Sequence, residues 1–160
     1  MINVGVEMNE IQDVMVTIDK TKVKLDILGI PFAKQSFRFT RSGIKYQPKE
    51  IVNAEYNVRA QAISQLPTGF KIFSQEVQII SIQFRFPPLK SFTKKQKSDV
   101  ENGIIIPKLT KPDLTDNLMK GVIDALKGVV FTDDSIIWKV GEISKIYAQT
   151  PGVFIHLQGE

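Results

Sequence analysis

The run Lys111-Pro112-Asp113-Leu114-Thr115-Asp116-Asn117-Leu118-Met119-Lys120 sets two carboxylates, an amide and an ammonium close together, and Asp133-Asp134 follow downstream. These residue types suit phosphodiester hydrolysis. Ionised carboxylates repel when crowded, and the ordinary remedy is a divalent cation. Oxygen donors with no His or Cys beside them select Mg²⁺, with Mn²⁺ as a substitute. A cation so placed polarises a phosphoryl oxygen and lowers the pKa of an attacking water, and Lys120 would stabilise charge on the pentavalent phosphate. The same residues also have a structural reading. Asp116 suits a helix N-cap; Asn117, Lys120, Asp124 and Lys127 fall on one solvated helical stripe; Asp133-Asp134 suit a turn. A start of helix and a later turn are therefore the two elements that would have to bring three or four carboxylates together.

Composition narrows the class. The chain has 160 residues, 42% hydrophobic and 24% charged, the profile of one globular domain over 1–160. It has no cysteine and one histidine, His156, which excludes disulfide staples, thiolate nucleophiles and His-rich metal sites and fits a reducing, cytoplasmic setting. No run approaches the length of a membrane span, and the N-terminus lacks a secretory signal pattern. Net charge is only +4, but the cations concentrate. Lys34, Arg38, Arg41, Lys45 and Lys49 lie in one stretch with Phe37, Phe39 and Tyr46 between them; Lys90, Lys94, Lys95 and Lys97 lie in another. Such segments suit a phosphate backbone, with ordinary solubilising charge as the alternative. Phe37 and Phe92 are either core residues or aromatics available to stack on bases.

The elements follow from periodicity. Val23, Leu25 and Ile27 alternate with Lys22, Lys24 and Asp26, the pattern of a half-buried strand ended by Gly29 and Pro31. Residues 32–49 read as an exposed basic hairpin or loop turning at Ser42-Gly43. Pro48 opens a helix carrying Ile51, Ala54, Val58, Ala62 and Ile63, which Pro67 and Gly69 stop. Val77 to Phe86 is a strand. Leu89 to Lys111 reads as a long basic loop returning to the sheet near Ile104–Ile106. A second helix is expected over Asn117–Lys127, with Leu118, Val122, Ala125 and Leu126 inward and Gly128 as its stop. Ile136–Tyr147 reads as a strand, bulged at Gly141, with Trp138 packed in the sheet and Val153–Leu157 pairing back as a hairpin. The expected fold is α+β, a mixed sheet of about five strands with two principal helices. The acid-leaning first twenty residues, with Val14–Ile18 alternating, suggest a strand or an arm.

Taken together, the run from Lys111 to Lys120, then Asp124-Ala125-Leu126, then Val129-Val130-Phe131-Thr132-Asp133-Asp134, resembles the signature of the RusA-like Holliday junction resolvases, common in phages and prophages. Gly29 to Gln35 and Lys90 to Lys95 resemble that family more weakly, and residues 1–20 lie outside the likeness. The resemblance implies a homodimer that cuts four-way DNA junctions by paired nicks in recombination and repair, using Mg²⁺ held by aspartates. By position it implies Asp116 and Asp134 as the leading metal ligands and Asp113 as the third, with Lys120 as the catalytic lysine; Asp133 is either a further donor or a residue that orients its neighbour. The two basic segments then supply Lys34, Arg38, Arg41, Lys90, Lys94 and Lys95 as the expected DNA track. One departure stands out: the family has one residue between its first two aspartates, whereas Leu114 and Thr115 both intervene here. Alternatives to this activity are a non-catalytic DNA-binding protein and a metal-dependent nuclease for other branched nucleic acids.

Overall fold

Residues 21–34 and 36–160 are described in a computed structural model; the expected N-terminal strand or arm lies outside them. The alternating segment forms β1 (Thr21–Leu28), with Val23, Leu25 and Ile27 buried and the residues between them exposed. It lies at one edge of a five-stranded mixed sheet ordered β1-β7-β4-β6-β5, made with β4 (Val77–Phe86), β5 (Ile106–Pro107), β6 (Ile137–Tyr147) and β7 (Gly152–Gly159). The centre belongs to β4, whose Val77, Ile79 and Phe84 are wholly buried, as expected of a strand flanked on both sides. It pairs antiparallel with β7 and parallel with β6.

That order corrects the expected terminal hairpin. β7 pairs with β1 and β4, not with β6. Residues 148–151 pass over the end of β4, where Ala148 N–H donates to the Phe86 carbonyl at 2.8 Å. The bulge expected at Gly141 lies elsewhere: β6 carries an extra residue, Trp138, opposite Val77 and Gln78 of β4, and β4 shifts register against β7 between Ile79 and Ser81. Trp138 is 60% exposed rather than packed in the sheet.

The basic hairpin forms as β2 (Arg38–Phe39) and β3 (Lys45–Tyr46), with Gly43 at φ +79 in its turn. The first helix, α1 (Lys49–Gln65), seats Val58 and Ala62 in the core. It also closes the β1 edge. Gln65 accepts from Asp26 N–H at 2.8 Å and donates to the Asp26 carbonyl at 3.0 Å; Gln61 does the same for Leu28 at 2.8 and 2.9 Å. Two glutamines thus satisfy backbone groups that an exposed edge would leave open to other chains. The long basic segment is not a loop throughout, because Lys94–Glu101 forms α2. Its start is a capping box in which Thr93 Oγ1 accepts from Gln96 N–H and Gln96 Oε1 accepts from Thr93 N–H.

A parallel β4–β6 pair demands a long crossover, and the acid-bearing helix lies within it. That helix begins earlier than Asn117, as a π-helical turn over Leu114–Met119 continuing into α3 (Lys120–Leu126). Leu118, Val122, Ala125 and Leu126 are buried as their spacing requires, and Gly128 stops the helix at φ +76. Fully burying each leucine contributes about 1.5–3 kcal/mol relative to exposure.

A Cβ on Gly141 would stand 2.4 Å from the Ile80 carbonyl oxygen, a backbone atom that cannot yield without parting the strands. Gly141→Ala is therefore expected to cost about 1–3 kcal/mol, read as a lower urea midpoint at constant m-value; an unchanged midpoint would contradict this approach of β6 to β4.

Candidate active site

The π-turn answers the question raised by the extra residue before Asp116. Leu118 N–H donates to the Asp113 carbonyl at 3.2 Å, five residues back, so the wider turn holds one residue more than an α-turn would. Asp113 is the N-cap, though its side chain makes no capping hydrogen bond, and Asp116 lies in the first turn rather than at the cap expected of it. Both carboxylates are exposed at the positive end of the helix, where the peptide dipoles favour anions. Asn117 Nδ2 lies 3.5 Å from Asp113 Oδ2, and Thr115 Oγ1 lies 3.5 Å from Asp116 Oδ1.

Asp116 and Lys120, one turn apart, face a cleft of about 510 Å³ lined also by Asn117, Asp124, Lys34, Ser36 and Phe37. The opposite wall is fixed by backbone and packing. Lys34 N–H donates to the Asn117 carbonyl at 3.0 Å, and a Cβ on Gly121 would lie 2.9 Å from the Phe32 ring, so only glycine admits the segment this closely. Lys34 Nζ sits 2.6 Å from Asp124 and 2.9 Å from Glu55. Burial works against its charge, but hydrogen bonds to Asp124 and Glu55 outweigh that cost and raise its pKa. Lys34 therefore enters the wall as a paired charge. Phe37 is 46% exposed at the cleft with Lys45 Nζ 3.9 Å from its ring centre, whereas Phe92 packs edge-on against Tyr147 at 4.9 Å.

Asp133 and Asp134 occupy the other end of the helix. Asp133 caps the short turn Asp134–Ile136 by accepting from Ser135 N–H at 3.0 Å. Lys127 Nζ bridges the pair, in contact with Asp133 and 3.2 Å from Asp134 Oδ1. The Lys127 hydrogen bond, helped by those from Ser135, holds the Asp133 carboxyl far below the ordinary range, and Lys127 is raised in return. Between Asp116 and Lys127 the helix climbs roughly 15 Å at about 1.5 Å per residue. The expected gathering of carboxylates is accordingly not seen: among the described residues no three His, Cys, Asp or Glu side chains come together as a metal site. Donor chemistry suits a hard divalent cation at either end, and the Lys127 ammonium marks where a cation sits between Asp133 and Asp134. One chain's arrangement does not unite the two ends.

Of the cation track, Arg41, Lys90, Lys94 and Lys95 are exposed, the last two on α2, and Arg38 lies in β2. His156 is on β7; burial, with Lys24 and Lys22 nearby, lowers its pKa. Three residues escaped the sequence reading in these roles. Glu55 and Lys127 serve as ion-pair partners, and Lys145 supports the approach to Asp113. Their partners are distant in sequence or lie across a turn, so spacing held no signal for them.

An acid-and-lysine cleft at the head of a crossover helix, beside basic surface segments, suits a hydrolase that cuts a nucleic-acid backbone. The family model for the endodeoxyribonuclease RusA matches residues 29–158. The chain belongs to that family, the junction-resolving RusA-like endonucleases. It is also 32% identical over 110 residues, 58% of this chain and 75% of the other, to the Bacillus subtilis protein described as uncharacterized protein YqaN. No helix among the described residues is long and apolar enough to cross a membrane.

Because the Asp133 carboxyl is depressed by Lys127, the pair's stabilisation is fully present above the ordinary carboxylate pKa and is lost as pH falls toward the depressed value. In Lys127→Met the Asp133 carboxyl should titrate higher than in the wild type while staying below its ordinary range, because the Ser135 hydrogen bonds remain; NMR of its carboxyl carbon follows the change. A titration as low as in the wild type would show that the lysine is not the cause.

Proposed function

We propose that the chain is a single nuclease domain that resolves four-way DNA junctions by Mg²⁺-dependent hydrolysis, with the Asp113–Asp116 turn and Lys120 at its chemical centre. The observation that carries this reading is the shared cleft of Asp116 and Lys120 at the N-terminal end of the helix. Asp116 supplies an exposed carboxylate in a positive backbone field, able to orient a water for in-line attack or to hold the cation. Lys120 lies on the same face and meets the charge that develops on the phosphoryl oxygens. Lys34, neutralised by Asp124 and Glu55, shapes the wall, which leaves Lys120 as the cleft lysine for the phosphate. When bound, a divalent cation would polarise the phosphoryl oxygen and acidify the attacking water; Asp116, Asp113 and Asp134 are the residues assigned to it, with Asp133 in support.

A homodimer fits this role on two grounds. A four-way junction has two-fold symmetry and needs two cuts, which a closed pair of chains matches. The separation of Asp133-Asp134 from Asp113 and Asp116 along one helix supplies the second ground, because a two-fold axis set beside that helix would let the opposite ends of two chains meet. Lys90, Lys94, Lys95, Arg38 and Arg41 then contact phosphates without reading bases, and Phe37 borders the cleft as a stacking surface.

Asp116→Asn is expected to slow junction cleavage by about 10²–10⁴-fold while gel-shift affinity for the junction persists; full activity would remove Asp116 from the chemistry. Replacing Lys94 and Lys95 by Gln should weaken binding and reduce the slope of log affinity against log salt by about one per lysine. An unaltered slope would take α2 off the DNA path.

A further inference from the structure

Between the end of β5 at Pro107 and the start of the π-turn, the chain carries the exposed Leu109 and Lys111 and leads directly to Asp113. Pro112, the residue before Asp113, has no N–H, so its carbonyl is the one backbone hydrogen-bonding group it offers. Lys145 of β6 takes that carbonyl. Its Nζ donates to Pro112 O at 2.7 Å and to Thr110 O at 2.8 Å. The attachment runs both ways, since Lys108 N–H donates to the Lys145 carbonyl at 3.0 Å. Lys108 adds a third tie: 8% exposed, it donates from Nζ to Thr110 Oγ1 at 2.6 Å, and its ammonium stands 5.0 Å from the Phe86 ring centre and 5.5 Å from that of Tyr147. Lys145 itself is held in register opposite the wholly buried Phe84 of β4.

We infer that Lys145 is a positioning residue: its ammonium clamps the Thr110 and Pro112 carbonyls so that the π-turn presents Asp113 and Asp116 to the phosphate in a fixed geometry. This rests on the reading of that turn as the site of cleavage. A charged donor makes two short bonds to neutral carbonyls, stronger than amide donors would, and it transmits the position of a central strand pair to a segment that otherwise runs through solvent. Reacting groups displaced by about 1 Å can lose on the order of 10²-fold in rate, so a clamp of this kind affects chemistry without touching the substrate.

The test uses the full chain with Lys145→Met, which keeps the stem and removes the donors, and Lys145→Arg, which restores donors of similar reach. Amide hydrogen exchange at Leu118, whose N–H closes the turn onto the Asp113 carbonyl, should quicken by roughly tenfold or more in Lys145→Met. Single-turnover junction cleavage should fall by about 10–100-fold, with junction affinity within about threefold of wild type because the DNA-contacting cations are untouched. Lys145→Arg should recover most of both losses. Unchanged exchange, or loss of binding in place of rate, would overturn the inference. So would a fall in rate matched by general unfolding and not rescued by Arg. Should Lys145→Met not fold, Lys145→Gln carries the same comparison, with its shorter donor giving intermediate exchange and rate if the clamp is real and wild-type values if it is not. Failure of the site reading is separable: Asp116→Asn would then cleave normally, whereas the exchange measurement would still report whether Lys145 holds the turn.

Discussion

Burial of one helical face against the sheet is the constraint on which the other features depend. Leu118, Val122, Ala125 and Leu126 have almost no exposed surface, so the helix cannot rotate or slide without opening the core. Its opposite face is thereby committed to the cleft, with Asp116 and Lys120 one turn apart. Its two ends are committed as well. One receives the strand-anchored segment through Pro112, and the other delivers Lys127 to Asp133 and Asp134.

Acid-rich sites need compensating charge, and this chain supplies much of it from its own lysines. Lys34 answers Asp124 and Glu55, and Lys127 answers Asp133 and Asp134. Asp113 and Asp116 are treated differently: they are exposed at a helix start, with neutral Asn117 and Thr115 as their near contacts. A metal-assisted reaction needs carboxylates in that uncommitted condition, whereas the Lys127 pair would have to give up its lysine to accept a metal.

Much of this was legible in the sequence where the signal is local. Alternation at Val23, Leu25 and Ile27 gave β1, helical spacing gave the inward face of the crossover helix, and Gly128 marked its end. The Thr93-x-x-Gln96 capping box was equally local, but lysine-rich composition obscured the helix it starts. Tertiary pairing was not legible. β7 seeks β4 because β4 has the most apolar inward face, and no short-range pattern distinguishes that from a hairpin with β6. The residues of the acid motif could be read from the chain, but the π-turn that accommodates the additional residue, and the length of helix that parts its two halves, follow from how the helix is seated.

The central claim is that this chain cuts branched DNA as a symmetric enzyme. The direct measurement is nick mapping at nucleotide resolution on a four-way junction labelled on each strand in turn, with Mg²⁺ present or chelated, beside a linear duplex of the same sequence. Paired nicks at two-fold related positions on the junction, dependent on the metal, are expected, with the duplex left intact. Equal cutting of the duplex, nicks on unrelated strands, or the same pattern in chelator would contradict it.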